Sequence, residues 1–224
     1  MKKEIIIDKR FGEKLDLRDF LVSSADVRAI ARKGIDEAIN EVLRVKYPFN
    51  IRGGYDDSHT SHAFNLRGIP LLGVIFYAQN LRNDFDFWQF PHETLLYMIG
   101  DCEDTSILLG ALFAEQSIPF RVNVGKVYLE DELLGWHAWI TYQAQMPAKW
   151  LLVETTLDEI PETGWFEVNQ EMFKPARVRN LYYVPVWVFN QIDVFEKNEN
   201  ETGWTKNVAA EPNKIRKIKE EWKR

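Results

Sequence analysis

The sequence holds one cysteine, Cys102, and four histidines, so thiol chemistry has a single nucleophile available to it. A thiol attacks only as thiolate, which forms most readily at a helix N-terminus, where unpaired backbone N–H groups and the helix dipole supply partial positive charge. Cys102 falls at such a place. A helix is predicted to begin at Asp101 or Cys102 and to run to about Gln116, with Ile107, Leu108, Ala111, Leu112 and Ala114 inward. An adjacent imidazolium would favour the thiolate further and could then protonate a departing amine. Among the histidines, His137 has the setting for this. In Gly135-Trp136-His137-Ala138-Trp139-Ile140, a strand puts His137 and Trp139 on one face. The next strand, Trp150-Leu151-Leu152-Val153-Glu154, carries Glu154 on the face of Trp150 and Leu152, where a carboxylate can orient the imidazole and stabilise its charged form.

Each of these residues also has a plainer reading. A lone cysteine is often a small buried hydrophobe, and a histidine between tryptophans is often a packed ring. Trp136, Trp139 and Trp150 read as core or groove wall. Glu103 and Asp104 stand in the first helical turn, where acids suit the dipole, so capping is their expected role. A second constellation, Asp56, Asp57, His59 and His62, has donor types that bind transition metals, but it lies in a Gly- and Ser-containing loop whose polar residues are expected to meet solvent. No metal and no cofactor are expected.

The elements that must position these residues follow from periodicity. From about Asp26 to Val45, apolar residues recur at three- and four-residue steps, which predicts one amphipathic helix capped by Ser23 or Ser24. Tyr47-Pro48 ends it, and residues 52–58 read as a loop. Residues 69–81 are apolar but contain Pro70 and Gly73, so helix is preferred only weakly over strand. Pro91 to Tyr97 predicts a short helix ending at Gly100. After Pro119, strands are expected over residues 120–128, 136–142 and 150–155. More strand-like material lies in 165–195, where Pro185 points to an edge or a bend. Residues 196–206 read as a polar linker to a basic terminal helix. One long helix followed by an antiparallel sheet gives the class α+β. The domain expectation is a single unit over 1–224, with a core at about 69–160, an N-terminal helical part at about 1–68 and a C-terminal extension at about 161–224.

Composition narrows the partners. The chain has 224 residues, 46% hydrophobic, with eight Trp, eight Tyr and fourteen Phe, which is ample material for one compact core. Net charge is −6 and the pI is about 5.4, so no broad basic surface is available to neutralise phosphates, and nucleic acid is not an expected partner. One cysteine excludes an internal disulfide and fits a reducing compartment. The N-terminal apolar run is too short for a signal peptide, and no stretch reaches membrane-spanning length. The expectation is a cytoplasmic protein that does not engage membranes.

Taken in order, Trp88-Gln89-Phe90-Pro91-His92-Glu93-Thr94-Leu95, Gly100-Asp101-Cys102-Glu103-Asp104, Ser117-Ile118-Pro119-Phe120-Arg121-Val122, His137-Ala138-Trp139 and Trp150-Leu151-Leu152-Val153-Glu154-Thr155-Thr156 resemble the successive motifs of transglutaminase-like cysteine peptidases. The resemblance covers roughly residues 85–156 and lies in the ordered set of blocks. It implies a papain-like fold with the cysteine at the start of a central helix packed on an antiparallel sheet. It also implies Cys102, His137 and Glu154 as the catalytic set. The third position is more often Asp in the family, so Glu154 keeps the charge and adds a methylene, and Asp158 is the alternative. Acyl transfer needs donors for its oxyanion. The backbone N–H of Cys102 is one, and either the Gln89 side chain, the first choice, or the Trp88 indole N–H is the other. The implied reaction is acyl transfer from a peptide bond or Gln side chain of a peptide or protein substrate, through a thioester on Cys102. Water as acceptor gives a peptidase or amidase, and an amine gives a crosslinking transglutaminase. A non-catalytic peptide-binding or assembly protein on the same fold is the rival from another class.

Overall fold

The structure, a computed structural model, describes residues 5–6, 14–45, 88–98, 100–129, 131–146, 148–157, 160–162, 164–171, 174–179, 181–197 and 204–206. The chain opens with a short pairing of β1 (Ile5–Ile6) with β2 (Lys14–Leu15), then a 3₁₀ turn over Leu17–Phe20. Helices α1 (Ala25–Ala31) and α2 (Ile35–Leu43) come next, followed by α3 (Pro91–Tyr97) and α4 (Cys102–Glu115). The strands are β3 (Phe120–Leu129), β4 (Glu132–Ala144), β5 (Lys149–Val153), β6 (Phe166–Val168), β7 (Ala176–Val178), β8 (Leu181–Phe189), β9 (Val194–Lys197) and β10 (Trp204–Lys206).

The architecture is α+β, with α4 packed on an antiparallel sheet and Cys102 as its first residue. Strand order is β10-β9-β8-β3-β4-β5-β6, and β7 pairs with the start of β8. Every residue of α4 from Glu103 to Phe113 is buried, because α1, α2 and α3 cover one side and β3 and β4 the other. A helix enclosed on all sides must be apolar around its circumference, and Ile107, Leu108, Leu109, Leu112 and Phe113 meet that need. Each such side chain contributes roughly 1.5–3 kcal/mol by leaving water. The sheet has apolar material on both faces. Ala138, Ile140 and Tyr142 of β4 join the main core with α4, whereas Trp139 joins a smaller cluster with Val127, Leu152, Val178 and Tyr183. Strand β6 approaches β7 and helps close that second cluster.

Several expectations need correction. The helix predicted over 26–45 is two helices, since Gly34 takes φ +104°, a left-handed conformation that ends one helix and starts the next. Ser24 is the cap, its Oγ accepting from the Val27 N–H at 3.2 Å. Helix α3 stops at Tyr97, before Gly100, with Met98 in a left-handed conformation. Residues 196–206, expected as linker, include the end of β9 and all of β10. Pro185 does not mark an edge, because β8 lies between β3 and β9. It sits at a register shift, where Val124 pairs with Trp187 but Gly125 pairs with Pro185. A proline donates no ladder hydrogen bond, and the bulge absorbs that loss. The apolar stretch 69–81, the loop 52–58, the constellation of Asp56, Asp57, His59 and His62, and the basic terminal segment lie outside the described residues.

Candidate functional site

Three elements converge at the start of α4. Cys102 is half-buried as the first helical residue, so its own N–H is among the groups without an intrahelical partner. His137 stands on β4 opposite Gly125 of β3. Glu154 follows β5 directly, one residue past Val153, which pairs with Ile140. Alternation therefore carries both side chains to one face, and His137 Nε2 lies 2.9 Å from Oε1 and 2.8 Å from Oε2 of Glu154. The carboxylate takes the Nε2 side of the ring, which leaves Nδ1 for the thiol.

Burial alone would depress the His137 pKa, but the charge of Glu154 and the charge and hydrogen bond of Cys102 outweigh it and hold the imidazole well above its usual 6.5. Burial would likewise raise Glu154; the charge and hydrogen bond of His137, with hydrogen bonds from Thr156 and Tyr183, bring it below 4.5. The arrangement is an imidazolium between two groups that carry or can carry negative charge, as a thiolate–imidazolium pair requires.

Glu154 is held on every side. Thr156 donates to Oε1 from its Oγ1 at 2.8 Å and from its N–H at 3.3 Å, and the Tyr183 hydroxyl donates to Oε2 at 3.0 Å. The next residue, Thr155, binds α4: its hydroxyl lies 2.8 Å from Thr105 Oγ1 and 3.2 Å from Ser106 Oγ. Thr105 also donates to the Asp101 carbonyl at 2.7 Å, at the turn that presents Cys102. Neighbouring residues thus fix the carboxylate and the helix that begins at Cys102 to each other.

Of the residues expected at the oxyanion, Gln89 lies at the same helix start. The Gln89 backbone N–H donates to Asp104 Oδ1 at 2.7 Å and its Nε2 to Oδ2 at 2.8 Å, so one of the two Nε2 hydrogens is committed to Asp104. Asp104 also accepts from the Asp101 N–H at 3.3 Å, the capping role expected of it. Trp88 is buried in the main core, edge-on to Phe20 with ring centroids 5.8 Å apart. Glu103 is buried and does more than cap, since Cys102 Sγ donates to its Oε2 at 3.2 Å. Asp101, Cys102 and Glu103 place ligand atoms within 4.8 Å of one another, which follows from their adjacency and assigns no metal. Asp158 lies outside the described residues.

Sequence reasoning missed Tyr183, Thr155 and Thr156 as parts of the site. Tyr183 stands twenty-nine positions from Glu154, and nothing local in Leu181-Tyr182-Tyr183-Val184 indicates the contact. The two threonines follow Glu154 directly, in a block already singled out, and their hydroxyls were the available signal.

No family model and no curated protein sequence matches the chain. Among solved structures it is similar to Legionella pneumophila LapG. The EGTA-treated form is 12% identical with a TM-score of 0.45, covering 91% of each chain. The calcium-bound form is 14% identical with a TM-score of 0.43, covering 89% of this chain and 83% of that one. A candidate cysteine protease from Cytophaga hutchinsonii is 15% identical with a TM-score of 0.36, covering 86% of this chain and 56% of that one. Likenesses this distant decide neither family nor activity. Among the described residues, no helix is long and apolar enough to cross a membrane.

Proposed function

We propose that this chain is a transglutaminase-like thiol hydrolase that cleaves amides in peptide or protein substrates, with Cys102 as nucleophile, His137 as proton carrier and Glu154 as orienting carboxylate. The observation that carries the reading is the continuous contact from Cys102 through His137 to Glu154 at a helix N-terminus. In the first half-reaction the thiolate attacks the carbonyl carbon, the S–C bond forms, and the tetrahedral oxyanion is stabilised by the Cys102 N–H and a Gln89 Nε2 hydrogen. The C–N bond then breaks as the His137 imidazolium gives its proton to the amine. In the second, His137 takes a proton from water as the hydroxide attacks the thioester, and the S–C bond breaks to release the acid and restore the thiolate–imidazolium pair. Water is the acceptor of choice because it needs no dedicated site. Products of a peptide library, identified by mass spectrometry for the wild type and for Cys102→Ala, test the assignment: cleavage by the wild type alone supports it, and cleavage by both rejects it.

One observation favours a non-catalytic reading. Cys102 Sγ is engaged by the Glu103 carboxylate at 3.2 Å as well as by His137, which suits a fold that binds an extended peptide without attacking it. Alkylation of the single cysteine by iodoacetamide across pH separates the readings. Reactivity well below the ordinary thiol range belongs to the hydrolase, and an inert thiol to the binding protein.

A further inference from the structure

Glu154 is buried, and a buried carboxylate keeps its charge only while donors compensate for lost water. Its two oxygens are served unequally. Oε1 receives both Thr156 donors beside His137, whereas Oε2 has His137 and one further donor, the Tyr183 hydroxyl. Tyr183 is itself buried, on β8 opposite Val127 of β3. Its ring meets Trp139 edge-on at 5.1 Å and lies 6.2 Å from the His137 ring. The phenol is thus aimed by packing, and only its oxygen reaches the carboxylate.

We infer that Tyr183 is a positioning residue of this site, whose hydroxyl keeps Glu154 ionised and turned toward His137. The inference rests on the hydrolase reading above. Burial, then the charge and hydrogen bond of Glu154, push the Tyr183 phenol far above its usual range, so it stays a donor at every pH where the site works. The groups facing Glu154 are His137 from β4, Tyr183 from β8 and, through His137, Cys102 with its neighbour Glu103 from α4. Arg121, Glu171 and Lys174 line a shallow cleft that Tyr183 also borders, and removing one phenolic oxygen leaves these charges in place.

The test is the pH dependence of iodoacetamide alkylation of Cys102 in the full chain. Loss of the donor raises the Glu154 pKa, so in Tyr183→Phe the carboxylate protonates earlier as pH falls and the imidazolium loses its partner. The acid edge should move up by about one pH unit while the rate above the edge stays close to wild type. A purely structural role would scale the whole profile or leave it unchanged, and either result overturns the inference. Site-specific 3-fluorotyrosine at position 183, a stronger donor of nearly the same shape, should move the edge down. It decides the matter if Tyr183→Phe does not fold, since an unmoved edge there also overturns the role. Peptide cleavage by Cys102→Ala would instead overturn the hydrolase reading itself, whereas unmoved edges with an inactive Cys102→Ala overturn the Tyr183 role alone.

Discussion

At the scale of single residues, the proposed function gives Cys102 a central chemical role and a modest structural one. Cys102→Ala should fold as the wild type does by circular dichroism while losing peptide cleavage, because the sulfur adds little packing and all of the nucleophilicity. Glu154→Gln keeps the shape but cannot stabilise the imidazolium, and it should lower kcat by roughly 10²–10⁴ with little change in KM, with Glu154→Asp milder. Glu103 works in the opposite sense. Replacing the carboxylate that accepts from Sγ in Glu103→Gln should leave the sulfur less engaged and speed its alkylation by iodoacetamide at fixed pH, and a slower reaction would refute this. The proximity of His137 and Glu154 is legible in the sequence because strand alternation is strict and two neighbouring strands suffice. Tyr183 and the Glu103 contact are not legible, the first because it comes from a distant strand and the second because a first-turn acid has capping as its ordinary role.

At the scale of elements, the site depends on how closely strands and helices approach. A Cβ on Gly125 would lie 2.1 Å from the Val184 carbonyl oxygen and 2.8 Å from Pro185 Cα, so only glycine allows β8 to pair with β3 here. Gly125→Ala should cost about 1–3 kcal/mol, read from the urea midpoint, and should weaken activity by displacing Tyr183 and the strand bearing His137 together. Thr155→Val fills the same space but leaves the hydroxyls of Thr105 and Ser106 without it; a loss of about 1–2 kcal/mol is expected, with lowered rather than abolished turnover. The elements from Pro91 through Val153 are legible with shifted ends, because Pro and Gly punctuate them and their periods are clean. The break at Gly34 is masked by an apolar stripe that continues across it. The interior place of β8 is masked by Pro185, which signals an edge as readily as the bend, and only the second alternative agrees with the register shift found there.

For the molecule as a whole, the His137–Glu154 pair makes stability depend on pH. His137 has a raised pKa in the fold, so its contribution is complete below 6.5 and fades as pH climbs through the raised value. Glu154 has a depressed pKa, so its contribution is present above 4.5 and fades as pH falls through the lowered value. The two describe one interaction, fully expressed between about 4.5 and 6.5. The melting temperature of the wild type minus that of Glu154→Gln should therefore be greatest in this window and shrink on both sides. The α+β class is legible at this scale, whereas the participation of residues beyond 161 in the same sheet is not, since strand pairing across long separations leaves no mark in local sequence.

The burial of α4 from Glu103 to Phe113 has a consequence in time. A helix that depends on being covered gains little from forming alone in water, and the strands that cover it are synthesised after it. Cys102 leaves the ribosome first, then His137, then Glu154, and Tyr183 last. Throughout that interval the thiol belongs to an unfolded segment with no imidazolium beside it and has the reactivity of any cysteine in a nascent chain. On the proposed reading the site is complete only once β8 has docked, so a chain interrupted before Leu181 should carry the alkylation profile of an ordinary thiol.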